Sequence, residues 1–304
     1  MNQANCQTHY DVVIIGAGAA GLTAALFLKR SDINCCIIES GAPGGQLLKS
    51  DVIENYPGVD KTSGVQLAQT MLKQVVDLGV DYYQAQVLKV SIEGQIKNVV
   101  TDQGGFATEK VIIATGRSPK KFGYDREEEL TSKGISYCTV CDGPLFKGQD
   151  VVVVGSGDSA IESVLFLAPI VKEVTLICRK ASLKAKEKVK DSLKYLDNLK
   201  ILYNTSVTGF VEADQKLSAV ETNQGTVSCD GCFVCIGYVP ATEPFEDLGI
   251  LNSEGYIETD QTMQTQVKGI YAIGDTRAKK VFQITTAVSD ATIAAVSIIR
   301  ELSE

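Results

Sequence analysis

Tyr10-Asp11-Val12-Val13-Ile14-Ile15-Gly16-Ala17-Gly18-Ala19-Ala20-Gly21 is the stretch on which the reading of the fold turns. Its first six residues form the short apolar run of a strand buried inside a parallel sheet. The spaced glycines follow directly, then an apolar helix over Leu22–Lys29 and a second strand over Cys35–Glu39. Gly16 permits the tight turn, Gly18 lets backbone approach a pyrophosphate, and Gly21 lets helix and strand pack closely. The helix start offers unpaired N–H groups and a positive dipole end to phosphates. Glu39 stands 23 residues after Gly16, where a carboxylate binds a ribose diol. Strand, glycine loop, helix, strand and acid together predict a Rossmann-like dinucleotide-binding fold.

The same order returns at Asp150-Val-Val-Val-Val-Gly155-Ser-Gly157-Asp158-Ser159-Ala160, with Ala at the third small position. A helix over Ile161–Leu167 and a strand over Glu173–Ile177 follow. The fold class is therefore α/β with two Rossmann-like dinucleotide-binding domains. In the second copy Cys178 replaces the acid, and Arg179, Lys180 and Lys184 lie beside it. A missing carboxylate flanked by cations suits a ribose carrying a 2′-phosphate, hence NADPH rather than NADH. A solvated basic helix is the plainer alternative, because Lys186, Lys188, Lys190 and Lys194 continue the run.

Between the two fingerprints, Gly41–Leu47 is too rich in Gly and Pro for regular structure, and Glu54–Gly58 is a second such loop. Ser63–Leu78 is an amphipathic helix, with short strands after it through Val99. Val111–Gly116 is an apolar strand ending in glycine, and Arg117–Lys121 is a linker in which Pro119 disfavours helix just before it. Gly237–Pro244 has the same character and closes an inserted segment. Beyond it, Gly269–Asp275 is a strand ending in Gly-Asp, followed by Phe282-Gln283 and an apolar helix to the C-terminus.

Tyr137-Cys138-Thr139-Val140-Cys141-Asp142-Gly143 carries the chemistry. Two cysteines separated by two residues can close a small disulfide ring, and such pairs exchange disulfides readily. Half a zinc site and a pair of core cysteines are the competing readings. Zinc needs four ligands, and the chain has one histidine, His9, and no matched second pair. Cys229, Cys232 and Cys235 have metal-like spacing, yet Gly231–Ile236 reads as a strand on which Cys232 and Cys235 face opposite sides. These three, with Cys35 and Cys36, are expected to be structural.

The 304 residues suit about two domains. Hydrophobic residues at 44% and charged residues at 22% are a soluble, globular balance, and the net charge of −8 argues against nucleic acid. No apolar run reaches membrane-spanning length. Met1–Tyr10 has no export signal pattern, and a reducing cytoplasm is the expected setting for a reactive Cys-x-x-Cys pair.

The ordered set Gly-Ala-Gly-Ala-Ala-Gly, Gly-Gly-Gln-Leu, Glu-Asn-Tyr-Pro-Gly, Ala-Thr-Gly, Cys-x-x-Cys-Asp, Gly-Ser-Gly-Asp-Ser-Ala and Ala-Ile-Gly-Asp resembles the low-molecular-weight thioredoxin reductases. The likeness covers nearly the whole chain. It implies an NAD(P)-binding domain, residues 118–241, inserted into a discontinuous FAD-binding domain, residues 1–117 and 242–304. Carried over, Gly16, Gly18, Ala19, Gly21, Glu39, Gly45, Gln46, Leu47, Asn55, Val87, Ala114, Gly116, Gly274, Asp275, Gln283 and Ile284 contact FAD. Gly155, Gly157, Asp158, Ser159, Ala160, Arg179, Lys180 and Lys184 contact NADPH.

The resemblance further implies that electrons pass from NADPH through FAD to the Cys138–Cys141 disulfide and on to thioredoxin or a thioredoxin-like protein. In that scheme Cys141 faces the flavin, Cys138 attacks the substrate, and the inserted domain rotates on its two connections. With no histidine at hand unless His9 reaches the site, Asp142 is the expected general acid. A cytoplasmic homodimer without metal is also implied. The chain departs from the family's His-Arg-Arg signature, showing Cys178-Arg179-Lys180 and Lys184, and has Phe282 where an Arg is usual. Lys lacks the bidentate fork of Arg on phosphate. A dithiol oxidase passing electrons to oxygen, or a reductase fed by NADH or ferredoxin, is the alternative.

Overall fold

A computed structural model describes residues 8–50, 52–131 and 133–303. The expectation about an export signal therefore rests largely on residues outside those described. Two compact units divide the chain: unit 1 is Met1–Ser118 with Val239–Glu304, and unit 2 is Pro119–Tyr238.

In chain order, β1 (Thr8–Ile15), α1 (Ala19–Lys29) and β2 (Cys35–Glu39) open unit 1. They are followed by α2 (Gly64–Val76), β3 (Asp81–Gln84), β4 (Val87–Glu93), β5 (Ile96–Thr101) and β6 (Gly104–Ile113). Strand β7 (Arg117–Pro119) leads to α3 (Glu127–Leu130), β8 (Ile135–Ser136), α4 (Thr139–Asp142), β9 (Asp150–Val154), α5 (Asp158–Leu167) and β10 (Glu173–Ile177). Next come α6 (Glu187–Asp191), β11 (Leu199–Leu202), β12 (Val207–Ala213), β13 (Lys216–Thr222), β14 (Gly225–Ser228) and β15 (Gly231–Val234). The last elements are β16 (Tyr238–Pro240), β17 (Ile270–Ala272) and α7 (Ile284–Ser303). The stretch Arg117–Lys121, expected to be a plain linker, begins as a strand: β7 and β16 form a two-stranded ribbon.

The sheet of unit 1 runs β3-β2-β1-β6-β5-β4, and β17 also pairs with β6. Strands β1, β2, β3, β17 and the end of β6 are parallel, while β4 and β5 return as an antiparallel hairpin. The apolar runs that make β1 and β2 strands also bury them, because helices and loops cover both faces of a parallel sheet. Helices α1 and α7 share one cluster in which Leu22, Leu28, Ala291, Ala294 and Ile298 are fully buried against Ile14, Ile112 and Tyr271.

Unit 2 holds an all-parallel sheet, β11-β10-β9-β15-β8, with β12-β13-β14 as a separate antiparallel meander. The two nucleotide folds share one register. Ile15 lies opposite Ile38 in unit 1, and Val154 opposite Ile177 in unit 2, an offset of 23 residues in both.

Both helices start earlier than the sequence suggests. Helix α1 begins at Ala19 rather than Leu22, and α5 at Asp158 rather than Ile161. In each, the second glycine is the N-cap, so the rest of the motif already belongs to the first helical turn. The loop expected over Gly41–Leu47 is likewise half regular, since Gly45–Lys49 is a 3₁₀ turn driven inward by buried Leu47. Helix α2 starts from the Ser63 cap, where Ser63 and Gln66 form a reciprocal capping box.

Candidate functional site: two glycine cradles and a disulfide turn

In unit 1, Gly16 adopts φ +109°, and a Cβ there would stand 2.4 Å from Ala114 O. A Cβ on Gly21 would lie 1.9 Å from Gly16 O, so only glycine lets α1 approach the loop. Gly18 faces open space and caps α1 with no side-chain hydrogen bond. That combination, bare backbone before an uncapped helix start, fits a pyrophosphate. Glu39 closes the loop with both oxygens: Oε2 accepts from Ala17 N and Oε1 from Gly41 N, each at 2.8 Å. Gly44, the first glycine of the Gly-Gly-Gln-Leu motif, returns its N–H to Ala17 O at 2.8 Å.

The other expected unit 1 residues gather near the carboxyl ends of these strands. Gly45, Gln46 and Leu47 form the 3₁₀ turn, and Gln46 Nε2 donates to Arg117 O at 2.8 Å. Asn55 Nδ2 donates to Gln283 Oε1 at 3.3 Å, and Ile284 begins α7 just after. Ala114 N donates to Ile15 O, and Gly116 O accepts from Ala241 N. Gly274 N bonds the buried Asp290 carboxylate, while Asp275 pairs with Arg117 at 3.3 Å and Lys279 at 3.8 Å. Arg117 also stacks 4.0 Å from the Phe282 ring centroid. Arg117, expected to be linker, thus packs on Phe282, a contact that no local pattern announces. Val87 starts β4 with its side chain in the core, two residues past Ala85, whose N–H bonds Glu39 O. His9 lies at the opposite end of β1 from Gly16, exposed, and so is not part of this cluster.

In unit 2, Gly155 stands where a Cβ would meet Cys235 O at 2.5 Å and Ala160 Cβ at 2.7 Å. Gly157 again faces open space and caps its helix without a side chain. Asp158 accepts from Lys186 N at 3.0 Å, Ser159 is exposed and Ala160 is buried. Cys178 is fully buried and leans its Sγ toward Ser182 O at 3.5 Å. Arg179, Lys180 and Lys184 are exposed, and none has an ion pair among the described residues, whereas Lys186, Lys190 and Lys194 are paired with Asp158, Glu187 and Asp191. The basic run thus divides: Lys186, Lys190 and Lys194 are paired locally, and Arg179, Lys180 and Lys184 have no ion pair among the described residues.

Cys138 and Cys141 are joined in a disulfide, so in this state they are not the thiolates of a half zinc site. Cys138 caps α4, with its Sγ accepting from Cys141 N at 3.3 Å, and Cys141 is exposed. Ser136, buried in β8, accepts from Cys138 N at 3.0 Å and donates to Asp142 Oδ2 at 2.7 Å. This serine fixes the carboxylate beside the pair, and no sequence motif announces it. Burial pushes the Cys35 and Cys229 thiols up to about 12 and raises Cys36, Cys232 and Cys235 as well. Thiols held neutral in this way are inert in exchange, because the thiolate is the nucleophile. Cys232 and Cys235 enter different clusters, and among the described residues no group of His, Cys, Asp and Glu could hold a metal.

A family model described as pyridine nucleotide-disulphide oxidoreductase matches residues 10–291. The thioredoxin reductase of Bacillus subtilis is 40% identical, covering 97% of this chain and 96% of its own. Among solved structures, the thioredoxin reductase of Lactococcus lactis has a TM-score of 0.86 at 36% identity, covering 96% of this chain and 99% of that one. The thioredoxin reductase of T. acidophilum has a TM-score of 0.85 at 31% identity, covering 98% of this chain and 100% of that one. Two glycine cradles of matching register, an acid-flanked disulfide and likeness over nearly the full length agree: the chain belongs to the pyridine nucleotide-disulphide oxidoreductase family, among its low-molecular-weight thioredoxin reductases.

Proposed function

We propose that the protein is a flavin-dependent disulfide reductase carrying electrons from NADPH through FAD and the Cys138–Cys141 disulfide to thioredoxin or a thioredoxin-like protein. The observation that carries this reading is the disulfide itself, on a solvent-reached turn beside Asp142, in the unit with the second glycine fingerprint. Unit 1 is the FAD domain: Gly18 and the α1 start hold the pyrophosphate, Glu39 the ribose, and Gln46, Asn55 and Asp275 the flavin end. Unit 2 is the NADPH domain, with Arg179, Lys180 and Lys184 around the 2′-phosphate; that none of them has an ion pair among the described residues supports this. A cytoplasmic homodimer is part of the same proposal, since a reducing compartment suits a pair that cycles.

The FAD held by unit 1 would supply the two-electron chemistry that links hydride from NADPH to reduction of the disulfide. Cys141 is the sulfur on the flavin side, and Cys138 leaves as thiolate. Asp142, held in place by Ser136, donates the one proton the reduced pair takes up, which leaves Cys141 as thiol and Cys138 as thiolate. For the partner, Cys138 thiolate attacks one sulfur of its disulfide, forming a mixed disulfide and expelling a thiolate. Cys141 then attacks Cys138, restores the internal disulfide and releases the partner as a dithiol. NADPH, one proton and a protein disulfide become NADP⁺ and a protein dithiol.

Replacing Cys138 by Ser is expected to lower thioredoxin reduction by about a thousandfold or more. Bleaching of bound flavin by NADPH in an anaerobic stopped-flow trace should persist, because that step does not use the sulfurs. Full turnover by Cys138→Ser would sink the assignment. Equal NADPH consumption with oxygen alone would favour the dithiol oxidase.

A further inference from the structure

The turn between the two sulfurs is tied to the second nucleotide fold by a short hydroxyl chain. Thr139 Oγ1 donates to Ser163 Oγ at 2.8 Å, and Ser163 Oγ lies 3.3 Å from Cys235 Sγ. With Thr139 as its donor, Ser163 turns its own hydrogen toward that sulfur. Ser163 is buried in α5, directly after the fingerprint residues, and the Cys235 carbonyl is the atom that a Cβ on Gly155 would strike. Packing reinforces the tie, since a Cβ on Gly143 would come within 3.0 Å of Leu167 and 3.1 Å of Phe166. Burial keeps the Cys235 thiol neutral, so it serves the chain as a polar partner and not as a rival nucleophile.

We propose that Ser163 is a positioning residue for the redox pair: through Thr139 it holds the four-residue turn so that the Cys141 amide stays aimed at Cys138 Sγ. The proposal rests on the disulfide-reductase reading above. Reduction adds two electrons and one proton to the disulfide, leaving Cys138 as thiolate and Cys141 as thiol. An N–H aimed at a thiolate is a charge-assisted hydrogen bond, roughly twice as strong as one to a neutral sulfur. A turn held in this geometry therefore favours the reduced pair. A turn released from α5 spreads over more conformations and loses part of that preference.

The test uses the flavin-loaded full chain, equilibrated at fixed pH against mixtures of reduced and oxidised dithiothreitol. The protein is then alkylated, and the Cys138–Cys141 couple is counted by mass spectrometry. Thr139→Val removes the hydroxyl at nearly constant volume, and Ser163→Ala removes its acceptor. Each is expected to move the equilibrium constant about three- to tenfold toward the disulfide. Thr139→Ser, which keeps the hydroxyl, should stay within about twofold of the unmodified enzyme. The flavin spectrum of each sample reports folding. If Thr139→Val loses its flavin, Ser163→Ala, which adds no bulk, decides in the same assay. Unshifted equilibria in the valine and alanine variants, or a serine variant displaced as far as the valine one, overturn the positioning role. An unmodified enzyme whose Cys138 and Cys141 form no dithiothreitol-reducible disulfide overturns the underlying reading instead.

Discussion

In unit 1 the loop after β2 returns over its glycine fingerprint through Gly44, whose N–H bonds Ala17 O at 2.8 Å. In unit 2 the matching return comes from Lys184, whose N–H bonds Ser156 O at 2.7 Å. The backbone closes both cradles alike, around strands of one register, so closure belongs to the fold. Side chains make the difference. Unit 1 spends a carboxylate, Glu39, on two backbone amides of the loop. Unit 2 buries a thiol at the equivalent place and leaves three cations outside it. Cys178 thus stands, buried, where unit 1 has an acid. The lesson is that one scaffold can carry opposite charge at the end of its second strand, a carboxylate in unit 1 and cations in unit 2.

The sharpest way to break the comparison is at the third small position. Gly21→Ala would drive a methyl into Gly16 O, since the built Cβ stands 1.9 Å away. We expect loss of most bound flavin and a stability cost on the order of 3 kcal/mol, read from absorbance and denaturant unfolding. The mirror change, Ala160→Gly, should cost only about 1 kcal/mol of helix propensity and keep the flavin. Equal damage from the two would mean that the cradles are not built differently.

A smaller effect is expected at the cations. Arg179→Ala should raise KM for NADPH by about tenfold while moving KM for NADH little, and the margin should shrink at high salt. Steady-state kinetics with both nucleotides checks it, and equal KM values in the unmodified enzyme would refute the preference.

The smallest effect concerns what the units share. Cys35 in unit 1 and Cys229 in unit 2 are both held neutral by burial, at about 12 against an ordinary 9.0. A raised folded-state value gives stability that is complete below pH 9.0 and is lost as pH climbs toward about 12. Urea midpoints should therefore fall over that alkaline window, and less steeply in Cys35→Ala or Cys229→Ala.

The strand–glycine–helix frames were legible because every part of them is local: apolar runs, glycine spacing and a fixed step to the second strand. The helix starts were misplaced because Ala19–Gly21 and Asp158–Ala160 look like loop in one dimension, yet follow an N-cap glycine in three. The 3₁₀ turn at Gly45–Lys49 hides in a composition that reads as irregular, and only the burial of Leu47 reveals it. The cysteine pair and Asp142 could be picked out by type and spacing. Ser136 and Ser163 could not. A buried serine has no signature until the fold brings its partner, as α5 brings Ser163 to Thr139 and Cys235.

The discontinuity of unit 1 sets an order of assembly during synthesis. Strands β1 to β6 leave the ribosome first, but the strand that extends their sheet and the helix that covers α1 are encoded after all of unit 2. Gly274 meets both ends of this arrangement: a Cβ there would stand 2.9 Å from Ala20 Cβ, and its N–H is held by Asp290 of α7. Unit 2, being one continuous stretch, has its whole core available while the first glycine fingerprint still lacks α7. The chain's earliest motif is thus completed by its last helix, so damage to the C-terminus is felt at the N-terminal cradle.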